Sequence, residues 1–249
     1  DVILVGGMTR MPRVREVVTS GALGGPVYVT QREAHAGPHS PWFFSRDEAG
    51  GGVLMDMACH SIECLRWLLG KPGVRSVTAQ LACTAHGHQT KLEDHAVVYL
   101  EFDGGVGGLV EASWALEGGM QSRLEVWGAR GYAEADVLQG TGLRVFAKDG
   151  GVPFAASGGW STPASDWLWE NGYPQQLAHF LQCFRSGTTP IESGADGLAV
   201  LEPEGGARRG GYVDPVEGGG GPWCGCLLLS GALFLLPDPV AGAQDRLHP

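Results

Sequence analysis

The segment AGGGVLMDMACHSIECLRWLLG, residues 49–70, decides how the surrounding chain is interpreted. Three glycines precede an apolar run, and Gly70 followed by Pro72 is a common way for a helix to end. This pattern predicts a helix over about residues 52–69. At about 100° per residue, one stripe of the helix carries the polar side chains, and a neighbouring apolar stripe can face a sheet. The first stripe contains Asp56, His60, Glu63 and Trp67, and the second contains Leu54, Ala58, Ile62, Leu65 and Leu69.

Asp56 and His60 lie one helical turn apart in this prediction, with about 5–6 Å between their Cβ atoms. Three interpretations remain open. A metal site would use Glu63 as a third ligand, although zinc requires a more closed set of ligands. An i,i+4 ion pair on a solvated face needs no further partner. In the third interpretation, the carboxylate orients an imidazole that takes a substrate proton near neutral pH. The preceding glycines favour this last interpretation, because they let a ligand or cofactor approach the backbone.

The sequence around this helix alternates in the manner of β-strands. Alternation occurs in GPVYVTQREAH (25–35), SVTAQLACTA (76–85), DHAVVYLEFDGGVGGLVEASWA (94–115) and SRLEVWGARGYAEADV (122–137). Glycine-rich turns divide each of the last two segments into a pair of strands, and a second helix is predicted over about 173–186. The predicted fold class is therefore α+β, an open antiparallel sheet with helices packed on one face, from residue 19 to about 202.

The composition restricts the classes of function. The 249 residues carry a formal net charge of −10, which argues against non-specific binding to nucleic acid or anionic membranes. Six cysteines without a CxxC pair are typical of reduced thiols rather than of a disulfide scaffold. No leader opens the sequence, and its longest apolar stretch, Cys226–Pro237, is too short to span a bilayer. We therefore expect a cytoplasmic protein without a nucleic-acid or membrane partner.

The segment at 49–70 resembles the catalytic helix of the Gfo/Idh/MocA oxidoreductases, in which GGG is followed by DxGxHxxD. The resemblance extends through residues 20–44 and 172–202, and it covers about residues 19–202. In that family a Rossmann domain binds NAD(P), and a second domain with an open antiparallel sheet holds a sugar or cyclitol. The resemblance implies the substrate domain of an NAD(P)-dependent sugar or inositol-type dehydrogenase. The open sheet face also predicts a homo-oligomer.

Carried over to this sequence, the resemblance makes His60 the base that takes the hydroxyl proton and Asp56 the residue that positions it. Glu63 stands where the family pattern has Asp, and Ala58 stands where it has Gly. No metal is expected. The implied substrate-binding residues are His35, His39, Glu63 and His179, and the implied cofactor-binding residues are Gly51 and Gly52. Without the resemblance, the first two histidines are equally well interpreted as solvated loop residues.

The two ends of the chain differ from this central part. Residues 1–18, DVILVGGMTRMPRVREVV, resemble the VGGxTRxP segment in the ATPase domain of the seventy-kilodalton heat-shock chaperones, the DnaK family. One segment cannot recreate that nucleotide site, so we expect no ATP binding, and we expect residues 1–18 to contribute little to the core. Residues 203–249 are rich in Gly and Pro and are predicted to be a non-homologous, disordered tail. Pro203 and Gly205-Gly206 are predicted to end the preceding helix.

The sequence contains no GxGxxG motif opening a βαβ unit, and it lacks the EKP motif of the resembled family. One hypothesis is a composite or misassembled reading frame of three segments, 1–18, 19–202 and 203–249, in which the Rossmann domain is missing and the substrate domain is inactive alone. An alternative is a non-catalytic module, or truncated relic, that oligomerises through its sheet. A weaker alternative is a chaperone-derived nucleotide binder.

Overall fold

The computed structural model describes residues 12–136, 143–155, 157–162, 173–209 and 223–228. The helices are α1 (Pro12–Thr19), α2 (Arg46–Ala49), α3 (Cys59–Leu68), α4 (Tyr173–Ser186) and α5 (Gly194–Arg209). The strands are β1 (Pro26–Ala36), β2 (Val74–Ala82), β3 (His95–Phe102), β4 (Gly107–Ser113), β5 (Ala115–Gly128), β6 (Gly131–Asp136), β7 (Leu143–Ala147), β8 (Gly159–Ser161) and β9 (Trp223–Leu228). Within the described ranges these strands form one sheet in the order β8-β7-β6-β5-β1-β4-β3-β2-β9. Each alternating segment of the sequence forms the strands predicted for it.

The sheet is mixed, which corrects the prediction of a purely antiparallel sheet. Strand β1 pairs in parallel with β4, whereas the other neighbours are antiparallel. The chain between β1 and β4 crosses the sheet through α2 and α3 and returns as the meander of β2, β3 and β4, so β4 arrives beside β1 in the same direction. The pairing of Ala34 with Ser113 therefore brings the carboxyl ends of both strands to one edge of the sheet.

Helix α3 covers the central strands on one face of the sheet. The helix predicted over 52–69 is confirmed, and it begins with one turn of π-helix, Leu54–Ala58. Its predicted apolar stripe faces the core, where Ile62 and Leu65 are fully buried. A Cβ atom at Gly108 of β4 would lie 3.2 Å from Cδ1 of Leu65, so the glycine allows the helix to approach the sheet closely.

Helix α1 packs into the same core, which corrects the expectation that residues 1–18 contribute little. Val14 and Val17 are only 1% and 0% exposed, and both belong to the main apolar cluster. The guanidinium of Arg15 lies 4.7 Å from the ring centroid of Trp67 on α3. The amphipathic half of the N-terminal segment thus buries its apolar side chains against the domain. Residues 1–11 lie outside the described part of the chain.

Helix α5 continues through Pro203 to Arg209, so the predicted helix end at Pro203 is wrong. The helix packs against α3 and β2. Val200 and Pro203, one turn apart, are both buried, and this burial offsets the hydrogen bond that a proline removes from the helix. Strand β9 extends the sheet by pairing Thr78 with Leu228, so this part of the predicted disordered tail is ordered. The rest of the predicted tail, residues 210–222 and 229–249, lies outside the described residues.

Candidate active site

The candidate site lies on the helix-covered face, at the edge where β1 and β4 end. The last parallel pair joins Ala34 of β1 to Ser113 of β4. His35 is the next residue after Ala34, and Trp114 is the next residue after Ser113. Gly37 joins the two strand ends, because its N–H donates to the carbonyl of Trp114 at 3.1 Å. A Cβ at Gly37 would lie 2.8 Å from the ring of His35 and 3.5 Å from Cδ1 of Trp114. Glycine at this position therefore leaves the ring of His35 in place, and the Trp114 distance is an ordinary contact.

Asp56 and His60 reach this edge from the start of the catalytic helix predicted above. Asp56 lies in the π-helical turn, a feature that occurs frequently at functional sites. Its Oδ2 accepts a hydrogen bond from Nε1 of Trp114 at 2.9 Å. Burial lowers the pKa of His60, and the negative charge of Asp56 opposes that shift in part. The imidazole is therefore mostly neutral at pH 7, as a base must be before it accepts a proton.

The two loop histidines of the prediction lie together at the same edge. The rings of His35 and His39 are stacked, with 4.6 Å between their centroids. Nδ1 of His35 lies 3.0 Å from the carbonyl oxygen of Ala36. Because a carbonyl can only accept, Nδ1 carries the proton of a neutral His35 and Nε2 is left as an acceptor. The structure thus brings Asp56, His60 and His35 to one edge of the sheet, with His39 against His35.

Aromatic rings enclose Trp114. Phe43, Phe44 and His86 each meet the indole edge-on, with centroid distances of 6.2, 6.4 and 6.5 Å. Phe44 also lines a cavity of about 810 Å³ between the segment at 44–46 and the loop at 87–93. None of the predicted site residues lines that cavity. The indole of Trp114 is thus packed among two phenyl rings and one imidazole.

Glu33 is a further carboxyl group at the site, and sequence reasoning missed it. Its Oε1 accepts a hydrogen bond from Ser122 at 3.1 Å. Burial, with a smaller contribution from the charge of Asp56, raises the pKa of Glu33 to about 7. The sequence did contain a signal: Gln31, Glu33 and His35 share the face of β1 that also carries the buried Val29. Polar residues on the buried face of a strand indicate a site.

Glu63 and His179 lie in a different cluster, around the end of α3. Glu63 pairs with Arg66, and its Oε1 lies 3.5 Å from Nζ of Lys71. Nε2 of His179 accepts a hydrogen bond from the backbone N–H of Ile191 at 2.9 Å, and the carbonyl of Ile191 accepts one from Lys71. Substrate binding by these two residues stays a prediction, and their contacts place them with each other rather than with Asp56.

Gly52 packs tightly against Glu93. Its N–H donates to Oε1 of Glu93 at 3.1 Å, and a Cβ at this position would overlap the carbonyl oxygen of Glu93. The N–H of Val53 donates to the same carbonyl at 2.9 Å. The absence of a side chain at Gly52 therefore fits packing against Glu93 rather than a cradle for a dinucleotide. Gly51 is buried beside it, and cofactor binding by either glycine stays a prediction.

One group of potential metal ligands occurs in the described part of the chain, formed by Glu63, Glu192 and Asp196. The ammonium of Lys71 lies among these carboxylates, 3.3 Å from Glu192 and 2.5 Å from Asp196. A lysine thus supplies the positive charge that the carboxylates require, and the group carries no metal assignment. No helix among the described residues combines the length and the apolar character needed to cross a membrane.

Comparison with known proteins places this geometry in context. Residues 11–134 match the sequence profile of the GFO/IDH/MocA C-terminal domain. The chain is 28% identical over 187 residues to scyllo-inositol 2-dehydrogenase (NAD(+)) of Bacillus subtilis, covering 74% of this chain and 52% of that protein. It is 26% identical over 216 residues to Myo-inositol 2-dehydrogenase of Thermotoga maritima, covering 81% of this chain and 60% of that protein.

Solved structures also share the fold. GenD2 from gentamicin A biosynthesis, in complex with NAD, is 33% identical with a TM-score of 0.65, covering 82% of this chain and 59% of that one. Aldose-aldose oxidoreductase from Caulobacter crescentus is 24% identical with a TM-score of 0.64, covering 83% and 62%. The chain thus spans between half and two thirds of the length of these relatives. The profile match and the inositol dehydrogenases support the resemblance found around residues 49–70, whereas nothing in the comparisons supports the chaperone resemblance of residues 1–18.

Proposed function

Because the match to the GFO/IDH/MocA C-terminal domain supports membership of that oxidoreductase family, we propose that this chain provides the substrate-binding and proton-transfer part of an NAD(P)-dependent dehydrogenase. The substrate class is a cyclitol or sugar, as in the names of the inositol dehydrogenases that it resembles. The observation that carries the proposal is the placement of Asp56, His60 and His35 at one edge of the sheet.

Oxidation of a secondary alcohol removes a proton from the hydroxyl group and a hydride from the carbon. A nicotinamide cofactor supplies the hydride acceptor when it is bound. His60 takes the hydroxyl proton, because burial keeps its imidazole neutral at pH 7. Asp56 then stabilises the imidazolium that forms, through its negative charge one turn earlier on the helix. Gly52 packs against Glu93, so no contact with the dinucleotide is derived from it.

The remaining groups at the edge suit a polyol. Nε2 of His35 is an acceptor for a substrate hydroxyl, and the exposed His39 stacked on it offers further ring nitrogens. The buried indole of Trp114 contributes apolar surface beside Asp56 and one hydrogen-bond donor to its carboxylate. Ligand sites generally combine such apolar walls with a few placed polar groups.

The proposal is tested by adding inositols and aldoses to the purified chain, with and without NAD(+), and recording the NMR signals of the histidine rings. We expect at least one polyol to shift the signals of His60 and His35 and to leave those of His88 unchanged, because His88 is an exposed loop residue. Failure of every polyol to shift the His60 signals at millimolar concentration contradicts the proposal.

Variants test the role of the base. Under conditions in which NAD(+) is reduced by the polyol that binds, His60→Ala should lower turnover by about 10²–10⁴-fold, the range for losing general base catalysis. The matched control is His88→Ala, which removes an exposed imidazole outside the site. Equal turnover in His60→Ala and the parent chain returns His60 to a structural role.

A further inference from the structure

We infer that Trp114 is a positioning residue, whose indole N–H holds the carboxylate of Asp56 in the orientation that serves His60. The inference rests on the proposed function, because it assigns a role within the same proton-transfer pair. Nε1 of Trp114 donates to Oδ2 of Asp56 at 2.9 Å. The indole is a donor only, so this bond has one direction and its acceptor must be a lone pair of the carboxylate.

Trp114 is well suited to fix another side chain, because it is itself immobilised. It is 1% exposed and is the largest fully buried side chain among the described residues. Its backbone N–H donates to the carbonyl of Asp94 at 2.8 Å, and its carbonyl accepts from Gly37 at 3.1 Å. Trp114 lies where β4 passes into β5, and its backbone is hydrogen-bonded to the start of β3 on one side and to the end of β1 on the other.

A second layer holds the ring from the side. The rings of His86 and Trp114 are nearly perpendicular. The carboxylate of Asp94 lies 2.7 Å from the backbone N of His86, which donates to it, and 3.1 Å from Nδ1 of His86. The carboxylate of Asp94 is fully buried and also accepts from the backbone of Thr84 and Ala85. These bonds hold the loop after β2, and with it the ring of His86 against Trp114.

Asp56 needs such support because of where it lies. The π-helical turn places it just before α3, where its backbone N–H donates to the carbonyl of Gly52 at 3.1 Å and its side chain is left to be held by other contacts. Three ionisable groups face its carboxylate or the ring of Trp114: His60 from α3, Glu33 from β1 and His86 from the loop after β2. The indole bond selects one orientation of the carboxylate among these neighbours.

The test measures how Asp56 acts on His60 with and without the indole N–H. The pKa of His60 is followed by NMR in four chains, namely the parent, Asp56→Asn, Trp114→Phe and the double variant that combines both substitutions. All four carry Glu33→Gln, so that Glu33 does not titrate in the same range. We expect Asp56→Asn to lower the pKa of His60 when Trp114 is present and to lower it by a smaller amount in the Trp114→Phe background. An equal decrease in both backgrounds overturns the inference.

A matched control and a second measurement keep the test decisive. Trp127→Phe removes an indole bond to Glu125, at 3.2 Å, from the opposite face of the sheet, and it should leave the effect of Asp56→Asn unchanged. If Trp114→Phe does not fold, the indole N–H signal of Trp114 is recorded in Asp56→Asn. We expect that signal to move and the Trp127 signal to stay, and an unmoved Trp114 signal overturns the inference.

These measurements need neither cofactor nor turnover. If the chain binds no polyol but the pKa of His60 shows the coupling, the dehydrogenase proposal is contradicted and the positioning role of Trp114 is supported. If the chain binds a polyol but the pKa of His60 shows no coupling, the dehydrogenase proposal is supported and the positioning role of Trp114 is contradicted.

Discussion

Glu33, the only carboxyl group on β1, differs from those of the neighbouring strands, because it lies under the helices rather than on the open face of the sheet. On the open face, Glu111 pairs with Arg32 at 3.2 Å, and solvent screens both charges. Glu33 accepts a hydrogen bond from the hydroxyl of Ser122, and burial raises its pKa to about 7. The folded chain thus retains a proton on Glu33 that the unfolded chain releases at its ordinary pKa.

This retained proton predicts how stability depends on pH. Because the folded pKa is above the unfolded one, the contribution of Glu33 is fully present below about pH 4.5 and is lost as the pH rises to about 7. Glu33→Gln keeps an acceptor for Ser122 and removes the titration. We expect the melting temperature of Glu33→Gln to fall less than that of the parent between pH 5 and pH 8.

The control is Glu48→Gln, which changes an exposed carboxyl on α2. Glu63, whose pKa burial also raises to about 7, keeps its own contribution in both variants, so only part of the slope should disappear. The same pH slope in Glu33→Gln and the parent contradicts the assignment of a buried, protonated Glu33.

At the scale of elements, Lys71 fastens the end of α3 to the start of α5. Its backbone adopts a left-handed conformation with φ of 61°, and its N–H donates to the carbonyl of Arg66 at 2.6 Å. From this turn the ammonium reaches Asp196 on α5 and the carbonyl of Ile191. One side chain thus joins two helices that the sequence places far apart.

Lys71→Met should weaken this junction, because it keeps the apolar stem and leaves Glu63, Glu192 and Asp196 without their shared cation. We expect the free energy of unfolding to decrease by about 1–3 kcal/mol, the range for leaving partly buried polar groups unpaired. Denaturant unfolding measures the decrease. Lys148→Met, at an exposed position after β7, is the control. A difference below about 0.5 kcal/mol, the usual spread of surface substitutions, contradicts the role of Lys71.

Elements with a strong local pattern could be predicted from the sequence. The alternation of residues 25–35 predicted β1, and the glycine-rich entry with the Gly70 and Pro72 stop predicted the helix over residues 52–69. The direction of β1 relative to β4 could not be predicted, because it depends on how a long crossover returns and not on either strand. The cluster that Glu63 joins could not be predicted either, because Lys71 links it to Asp196 on α5, a distant part of the chain. Residues 12–19 were misjudged because the partners of Val14 and Val17 also lie far along the sequence.

On the scale of the whole molecule, the face of the sheet opposite α3 stays uncovered in the described residues. It exposes aromatic rings, including Trp127 at 46% and Trp160 at 56%. Between them lies a network in which Arg123 and Arg144 both pair with Glu134. Aromatic rings and arginines are enriched where proteins associate, and a face that carries both charges can match a second copy of itself.

We therefore predict that the chain forms a homo-oligomer through this face. Light scattering should show a mass above 26.2 kDa that decreases on dilution. Trp127→Lys places a positive charge on this face and should shift the chain toward monomer, whereas Trp42→Lys, at an exposed position near the candidate site, should not. A parent chain that is monomeric at high concentration contradicts the prediction.

The parallel pairing of β1 with β4 also governs how the chain reaches its folded state. Strand β1 lies in the interior of the sheet, between β5 and β4. Tyr28 pairs with Gly107 and Gln31 with Leu124, so both neighbours of β1 are synthesised long after it. The loops that these pairings close are long, and their entropy must be lost before the hydrogen bonds form.

The hairpins of β2 with β3 and of β5 with β6 pair strands that are close in sequence, so they can form early. Strand β1 should stay unpaired, with its apolar residues exposed, until both of its neighbours have assembled. We expect the newly made chain to be most exposed to aggregation during that interval, so that conditions of synthesis affect its yield more than the stability of the finished sheet does.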